Sequence, residues 1–534
     1  MGSSTQPGRS VLPQYKTQPA VGSTLGPAGL AIVCLLSALY GVAIAALSES
    51  MLLALSVPLL VLSLLIIWVL PESKSGPVKV VQALFFTFLA VAVIWPEYLA
   101  IALPGLPWIT FRRLVAVPMI IALLITLSVS KGSRHQFTEG LRGDVLLSRL
   151  VFAFVALQFA SIFLSSDPSF SIDKFIVAQL YWTAIFLAAC LAFRVPGSVE
   201  KWSALFCGLL LPLTILGLWE WTRSQVPWGG RLPSFLVVED PLVQRILQGA
   251  SRSASGKYRV QTTFVSALGY AEYMALTIPF LMHYLFGSYR FVVRVVAAVA
   301  LPVTFFMIVL TDSRLGASGF MVSVVAYVGL WAAVRWRRHT RSVFAPALTI
   351  GYPIIFALFI ASTLYVGRIR KLVWGGGEHQ PSTDARALQY ERGFEIVERN
   401  PFGHGIGRAA ETLQYRGSGD VLTIDTYYLS VALEYGVLGV AIFYGLLIAT
   451  VVRGSWRAFS APTITRETYL LIPLSVSILV FIVIKSVHSS EANHSLIFMM
   501  IAAVIALSGR LQAPRPAQLG EPALRVRRIT ARQG

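Results

Sequence analysis

Long apolar runs recur along the whole chain, and short polar segments separate them. Most runs are about 18 to 25 residues long, enough for an α-helix to cross a bilayer core of about 30 Å. A transmembrane β-barrel would instead show segments of about ten residues with alternating polarity. The pattern predicts an all-α polytopic membrane protein with about fourteen transmembrane helices. These lie near residues 29–47, 51–70, 80–98, 114–130, 147–165, 175–193, 202–220, 264–286, 295–311, 315–334, 343–364, 427–452, 468–485 and 495–509.

The polar segments divide the chain into five regions. They are a disordered cytoplasmic arm (1–27), eleven transmembrane helices (28–366), a large periplasmic loop (367–422), three further transmembrane helices (423–510) and a basic cytoplasmic tail (511–534). A second long outer segment, 221–263, interrupts the first helical region. Only Ser48-Glu49-Ser50 joins the first two apolar runs, so thirteen helices is the alternative count.

A helix is predicted within the large periplasmic loop, over residues 384–400. Leu388, Phe394 and Val397 give this segment a partial apolar face. Pro401 ends it, because proline lacks the N–H group that would continue the helix.

Composition agrees with the membrane class, since 56% of the residues are hydrophobic and only 13% are charged; soluble domains have about 25% charged residues. The net charge of +19 would suit nucleic acid. The basic residues, however, lie mostly in short loops beside apolar runs, where they orient helices and contact anionic lipid. We therefore predict no nucleic-acid partner. These clusters are Lys131, Arg134 and Arg142; Arg335, Arg337, Arg338 and Arg341; Arg453 and Arg457; and Arg525, Arg527, Arg528 and Arg532. The positive-inside rule places them and both termini in the cytoplasm.

Two arginines on the opposite side are candidates for phosphate binding. Arg259 precedes the eighth predicted helix, and Arg314 lies in a short polar turn between two helices. Arginine is always charged and offers a forked set of donors that suits phosphate or pyrophosphate. The alternative is that each side chain reaches the lipid headgroups at the membrane boundary.

Three carboxylates have a functional and a structural interpretation. Asp425 precedes the twelfth predicted helix, where it can accept a proton from a hydroxyl nucleophile or cap the helix. Glu434 and Glu272 fall inside predicted helices. A carboxylate within a membrane indicates either a functional site or a buried ion pair or hydrogen bond.

Metal and nucleotide sites are not expected. His488, Glu491 and His494 are spaced as a faint metal pattern, but they lack the further ligands of a typical site. The three cysteines lie in apolar runs and show neither metal spacing nor a disulfide framework. The glycines between Gly403 and Gly407 follow no strand and precede no P-loop lysine, so they are interpreted as a turn.

A polar, glycine-rich signature follows the predicted loop helix. It consists of Asn400-Pro-Phe-Gly-His-Gly-Ile-Gly407, then Asp425-Thr-Tyr-Tyr-Leu429, then Glu434-Tyr-Gly-Val-Leu-Gly439. This series resembles the signature of the O-antigen ligase and polysaccharide polymerase superfamily. Arg259–Phe264 is similar to the family's arginine-containing segment, and Ser313–Gly316 is similar to its Ser-Arg-Gly turn.

The resemblance implies an inner-membrane glycosyltransferase with a GT-C-like architecture and an active site that faces the periplasm. Such enzymes take a glycan from undecaprenyl pyrophosphate, and no nucleotide sugar or other cofactor takes part. The family's pyrophosphate-binding arginines correspond to Arg259 and Arg314. With Asp425 these are the predicted catalytic residues. The predicted substrate-binding residues are Glu272, Arg386, Tyr390, Arg392, Gly403, Gly405, Gly407, Tyr428 and Glu434.

One departure from the family pattern affects the predicted activity. Ligases carry His-Asn before the Tyr-Leu pair, whereas this chain carries Asp425-Thr426. We therefore predict a metal-independent, inverting polymerase of the Wzy type, a hexosyltransferase that extends a lipid-linked repeat of an exopolysaccharide, capsule or O-antigen. An O-antigen ligase or protein O-oligosaccharyltransferase is the first alternative, and a flippase for lipid-linked glycans is the second. Membrane lipids, a chain-length regulator and a separate flippase are the expected partners.

Overall fold

The computed structural model describes residues 51–101, 109–238, 258–338, 343–365, 380–417, 421–461 and 465–512, with the isolated positions 243, 244, 247, 256 and 367. The predicted N-terminal arm and the first predicted helix near 29–47 lie outside these residues. So does the basic tail from residue 513 onward.

The described chain is mostly helical. Its helices are α1 (Met51–Val69), α2 (Val78–Ile94), α3 (Phe111–Val129), α4 (Lys131–Arg142), α5 (Val145–Ser161), α6 (Pro168–Ala178), α7 (Ala184–Ala192), α8 (Ser198–Gly208), α9 (Leu210–Arg223), α10 (Ala267–Phe286), α11 (Phe291–Leu310), α12 (Arg314–Arg338), α13 (Phe344–Tyr365), α14 (Gln380–Arg399), α15 (Ala409–Leu413), α16 (Tyr427–Ser460), α17 (Leu471–Lys485) and α18 (His494–Gln512). A π-helical turn, Gln179–Thr183, joins α6 to α7. A 3₁₀ turn, Ile162–Leu164, extends α5, and a second one, Thr468–Leu470, precedes α17.

Ten helical segments among the described residues are long and apolar enough to cross a membrane. The all-α polytopic class is thereby confirmed, whereas the count of fourteen is not. The predicted helix near 264–286 corresponds to α10, which is not among the ten. It packs at the centre of the bundle against α11, α12 and α17, and almost all of its residues are buried. Since α10 presents little surface to lipid, it tolerates Glu272 and His283 in its sequence.

The outer helices carry their large apolar side chains on the surface. Val292 and Val296 of α11, and Ile350 and Leu358 of α13, are all more than 60% exposed. Lipid chains are as apolar as these side chains, so no penalty follows from the exposure in a membrane.

Contacts between distant segments place the predicted basic clusters at one end of the bundle. Asp144, at the start of α5, pairs with Arg453 at 2.6 Å and with Arg457 at 2.8 Å. Arg338 at the end of α12 donates to the carbonyl oxygen of Ala461, which follows α16, at 3.0 Å. These contacts define the basic end; the opposite end is the one at which α12, α16 and α18 begin.

A small antiparallel sheet, which was not predicted, stands beside the helices. Its strands are β1 (Leu99–Ile101), β2 (Ile109–Thr110) and β3 (Leu236–Val238), in the order β2-β1-β3. Strands of two or three residues are too short to produce a clear alternating pattern in the sequence.

The predicted helix 384–400 is observed as α14, and only Val397 of its predicted apolar face packs against the protein. Leu388 and Phe394 are 38% and 57% exposed, whereas Gln389 is fully buried. Gly393 packs against Leu429 of α16. The packed face of α14 therefore combines Gln389 and Gly393 with the partly buried Val397, which packs against α15 and α16.

Candidate active site

The glycine-rich signature docks into a break in α16. Gly436 has φ 67° and ψ −168°, so the regular helical hydrogen-bond pattern is interrupted there. The loop replaces the missing partners. The backbone N–H of His404 donates to the carbonyl of Leu433 at 2.8 Å, and that of Gly405 donates to the carbonyl of Glu434 at 3.0 Å. Backbone groups freed within a membrane need protein partners, so loop and broken helix form one unit.

Two glycines are required where the loop meets the helix. Gly403 has φ 90°, and a β-carbon there would meet the backbone of Glu434. A β-carbon on Gly436 would overlap the carbonyl oxygen of Pro401, which accepts a hydrogen bond from the N–H of Val437 at 3.0 Å. Glycine is therefore needed both for the conformation and for the close approach.

A polar cavity of about 300 Å³ opens beside the docked loop. It combines three carboxylates, two cations and two aromatic rings. Its lining consists of Glu97, Arg112, Lys174, Val177, Ala178, Tyr181, Trp182, Ile406, Gly407, Glu434, Ser490, Glu491, Ala492 and Ser495. Part of the wall is the π-helical turn between α6 and α7; such turns are frequent at functional sites.

Glu434 and Glu491 stand on two walls of this cavity, and their charges interact. Glu434 faces the backbone N–H group of Gly407, so the signature loop orients its carboxylate. Glu491 accepts a hydrogen bond from the hydroxyl of Tyr427 at 3.4 Å. A pair of carboxylates beside a cavity can accept a proton from a bound hydroxyl group.

Glu491 lines the cavity and is exposed to it. Desolvation by the surrounding protein raises the pKa of the Glu491 carboxyl, and the charges of Lys174 and Lys485 oppose the rise. Its ionisation is therefore sensitive to what the cavity contains.

Arg112 is a cation that the sequence analysis did not single out. It is 6% exposed, pairs with Glu97 and lies over the ring of Tyr181, with its charged carbon 5.0 Å from the ring centre. It also donates to the hydroxyl of Ser495 at 3.3 Å. In the sequence, Arg112 and Lys174 stand at the ends of apolar runs, where most basic residues only mark the membrane boundary. Nothing in that pattern distinguishes them.

The structure brings three of the predicted arginines together at the end of α12 opposite the basic end. Arg259 donates through Nε to the carbonyl oxygen of Thr311 at 3.0 Å. Burial lowers the pKa of Arg259, and the charge of Asp312 opposes this effect. Arg314 begins α12 two residues later, and it is within electrostatic reach of Arg386 on α14. A cluster of cations with one nearby carboxylate is suited to a polyanionic ligand.

Asp425 is hydrogen-bonded to α14, the helix that carries Arg386. Its carboxylate accepts a hydrogen bond from Nε2 of Gln389 at 3.3 Å, and its backbone N–H donates to Oε1 of Gln389 at 2.9 Å. The residue in the cap position of α16 is Thr426, so Asp425 does not cap that helix. Because Arg386 and Gln389 lie one turn apart on α14, Asp425 and Arg314 lie near the same stretch of this helix.

The turn 486–493 contributes to both the arginine cluster and the cavity. Burial lowers the pKa of His488, and the charges of Lys485 and Arg259 lower it further, so His488 is within electrostatic reach of Arg259. The hydroxyl of Ser489 donates to the carbonyl oxygen of Ile424, next to Asp425, at 2.6 Å. Glu491, two residues further on, lines the cavity.

Glu272 occupies a buried ion pair. Its carboxylate lies 3.0 Å from Nζ of Lys485 and accepts a hydrogen bond from Nδ2 of Asn493 at 2.9 Å. Both ionised side chains are fully buried. Glu272 thereby fixes the ends of α17 and of the turn 486–493 against α10, and it does not line the cavity.

The remaining predicted residues of α14 and α16 lie on the outer side of the cluster. The hydroxyl of Tyr390 donates to the carbonyl of Ser486 at 3.4 Å, and that of Tyr428 donates to Ile482 at 2.7 Å. Arg392 is exposed on α14. The structure therefore brings Tyr390 to the turn 486–493 and Tyr428 to the last turn of α17, and it leaves Arg392 exposed.

The faint histidine pattern does not assemble as a ligand set. The ring of His494 stacks on Trp182, whereas His488 faces Glu272. Across the described ranges, no group of three or more histidine, cysteine, aspartate or glutamate residues is arranged to hold a metal ion.

Comparison with known proteins identifies one family. The family model described as Wzy_C, O-Antigen ligase, matches residues 297–444. No curated protein matches the chain. The family match implies a membrane glycosyltransferase-like enzyme that acts on lipid-linked oligosaccharides. The matched residues include Arg314 and the whole signature from Asn400 to Gly439 but not Arg259. The predicted resemblance to the O-antigen ligase superfamily is thereby confirmed over this part of the chain.

Proposed function

We propose that the protein is a polysaccharide polymerase of the bacterial inner membrane. It transfers a glycan from undecaprenyl pyrophosphate to a lipid-linked repeat unit at the periplasmic face, and its product is an exopolysaccharide, capsule or O-antigen. The supporting observation is the convergence of Arg259, Arg314 and Arg386 at one end of the bundle, with Asp425 held by the same helix as Arg386.

The proposed step is an in-line displacement at the anomeric carbon. The acceptor hydroxyl forms the new glycosidic bond, the bond to pyrophosphate breaks, and the anomeric centre is inverted. The electron pair leaves on the pyrophosphate, whose charge the arginines stabilise. The hydroxyl proton passes to a carboxylate, for which Asp425 is the first candidate. Because fixed cations supply the positive charge, the step is written without a metal.

The acceptor sugar is proposed to occupy the cavity beside the signature loop. About 300 Å³ accommodates a sugar unit, and sugar hydroxyls both donate and accept hydrogen bonds. Arg112 and Lys174 supply donors there, and Glu434 and Glu491 supply acceptors. Gly407 forms part of the wall, so the signature loop shapes the pocket. Glu491 is the second candidate for the proton acceptor.

The acceptor requirement separates the alternatives. Purified protein is given a radiolabelled lipid-linked repeat as sole substrate, and the products are resolved by length. A polymerase builds a ladder of lipid-linked oligomers from this substrate alone. A ligase or protein O-oligosaccharyltransferase releases no product until lipid A-core or an acceptor protein is added. A flippase leaves the repeat at its original length in both reactions. Either of the last two results would overturn the polymerase assignment.

A further inference from the structure

A second cavity, of about 310 Å³, lies at the basic end of the bundle, away from the signature loop. It is formed where α10 and α12 end and where the chain approaches α17. Arg335, Arg338 and Arg466 line it, and its lining contains no carboxylate. Glu200 pairs with Arg466 at 2.9 Å from outside the lining. The described walls therefore carry a net positive charge.

Aromatic rings hold two of these cations in place. The guanidinium of Arg466 lies 3.9 Å from the ring centre of Tyr289, and that of Arg335 lies 5.2 Å from the ring centre of Trp331. A guanidinium that stacks on a ring keeps its N–H groups directed outward from its edge. Such edges match the oxygen atoms of a phosphate group.

Buried polar atoms in the same wall are unpaired within the described chain. His283 is 1% exposed and accepts or donates one hydrogen bond at Nε2, to the hydroxyl of Tyr289 at 2.9 Å, while its Nδ1 has no partner. Arg338 donates from Nη2 to the carbonyls that end α16, yet its buried Nε is likewise unpartnered. Unpaired buried polar atoms are costly. A phosphate can accept a hydrogen bond from Nε of Arg338, and from Nδ1 of His283 in the tautomer in which Nε2 accepts from Tyr289.

The location favours a lipid as the source of the ligand. Phe286 lines the cavity and is 43% exposed, and Trp336, two residues before the end of α12, is 40% exposed. Trp and Tyr are typical of the boundary between lipid chains and headgroups. We propose that this cavity binds the phosphate of an anionic phospholipid headgroup.

The test uses the full-length protein, delipidated in detergent and then incubated with phosphatidylglycerol or phosphatidylcholine. Bound lipid is counted by native mass spectrometry. Phosphatidylglycerol should remain bound, and Arg335→Gln should weaken its binding about tenfold, the loss expected for one charge-assisted contact. The matched control is Arg337→Gln, which removes an equal charge from an exposed residue that does not line the cavity. It should bind as the wild type does.

Three outcomes would overturn the proposal. Equal losses in Arg335→Gln and Arg337→Gln would show diffuse attraction by charge. Equal retention of both lipids would show that the headgroup charge is not recognised. Full displacement of phosphatidylglycerol by millimolar inorganic phosphate would assign the site to free phosphate. If Arg335→Gln lowers the melting temperature, Arg335→Lys replaces it, because this change keeps the charge and removes only the forked geometry.

Discussion

Replacing Gly436 tests the broken helix most sharply. Its φ of 67° and ψ of −168° lie in a region essentially restricted to glycine, and holding an L residue there costs about 1 to 3 kcal/mol. A β-carbon at this position would also overlap the backbone of Pro401 and Phe402. In Gly436→Ala the helix therefore either stays broken under strain or expels the signature loop.

Expulsion of the loop should cost a similar free energy. Expelling the loop breaks the backbone hydrogen bonds that join Pro401, His404 and Gly405 to α16, and each contributes about 1 kcal/mol. Both responses thus cost about 3 kcal/mol. We expect Gly436→Ala to lower the free energy of unfolding by about this amount, or to release the loop in the folded protein.

Thermal unfolding of the purified protein measures the first response, and tryptic cleavage after Arg408, at the end of the loop, measures the second. If the free energy of docking the loop falls by about 3 kcal/mol, the undocked population and therefore the cleavage rate rise about a hundredfold. Gly445→Ala is the matched control, because it lies in regular α16 and a β-carbon there meets nothing within 4 Å. It should be neutral or stabilising by up to about 1 kcal/mol. Indistinguishable melting and cleavage for the two variants would refute the reasoning.

Three further changes have defined outcomes. Lys485→Met leaves the Glu272 carboxylate buried and unpaired, so thermal unfolding should show a loss of about 3 to 5 kcal/mol that adding Glu272→Gln partly restores. Because burial raises the pKa of Glu491, the folded state binds this proton more tightly than the unfolded chain does. The free energy of unfolding should therefore fall as the pH rises from the ordinary pKa of a carboxyl group to the raised pKa of Glu491. The melting temperature of Glu491→Gln should fall less steeply over the same pH range than that of the wild type. Gln389→Leu removes both hydrogen bonds to Asp425, so the maximal polymerisation rate should fall about tenfold while KM for the donor changes little, as steady-state kinetics would show.

The helices could be predicted from the sequence because each apolar run needs only its own length and composition to be recognised. Most predicted boundaries agree with those observed to within a few residues, as α17 illustrates. The prediction failed where tertiary packing decides the outcome. On α14 the apolar pattern found Val397 but missed Gln389 and Gly393, because a buried amide and a close backbone approach leave no apolar periodicity in the sequence.

The candidate site was only partly visible in the sequence. Arg259 and Arg314 stood out because they lie in polar segments beside apolar runs, and the structure brings them together with Arg386. Arg112 and Lys174 were missed, since at the end of an apolar run a cation in a cavity wall and one at the headgroups look alike. The break at Gly436 was also hidden, because the apolar run continues through it and only the docked loop explains it.

The rate of polymer growth in Arg314→Ala tests the central claim most directly. Purified protein is given a lipid-linked repeat, and the initial rate is compared with that of Arg399→Ala. Arg399 is an exposed arginine of α14 that pairs with Glu395 one turn away, so it controls for the loss of a nearby charge. The account predicts a loss of about a hundredfold or more for Arg314→Ala, as for removal of one preorganised donor to a developing anion, and a near wild-type rate for Arg399→Ala. Equal rates in the two variants, with unchanged melting temperatures, would contradict the assignment of the arginine cluster to the leaving pyrophosphate.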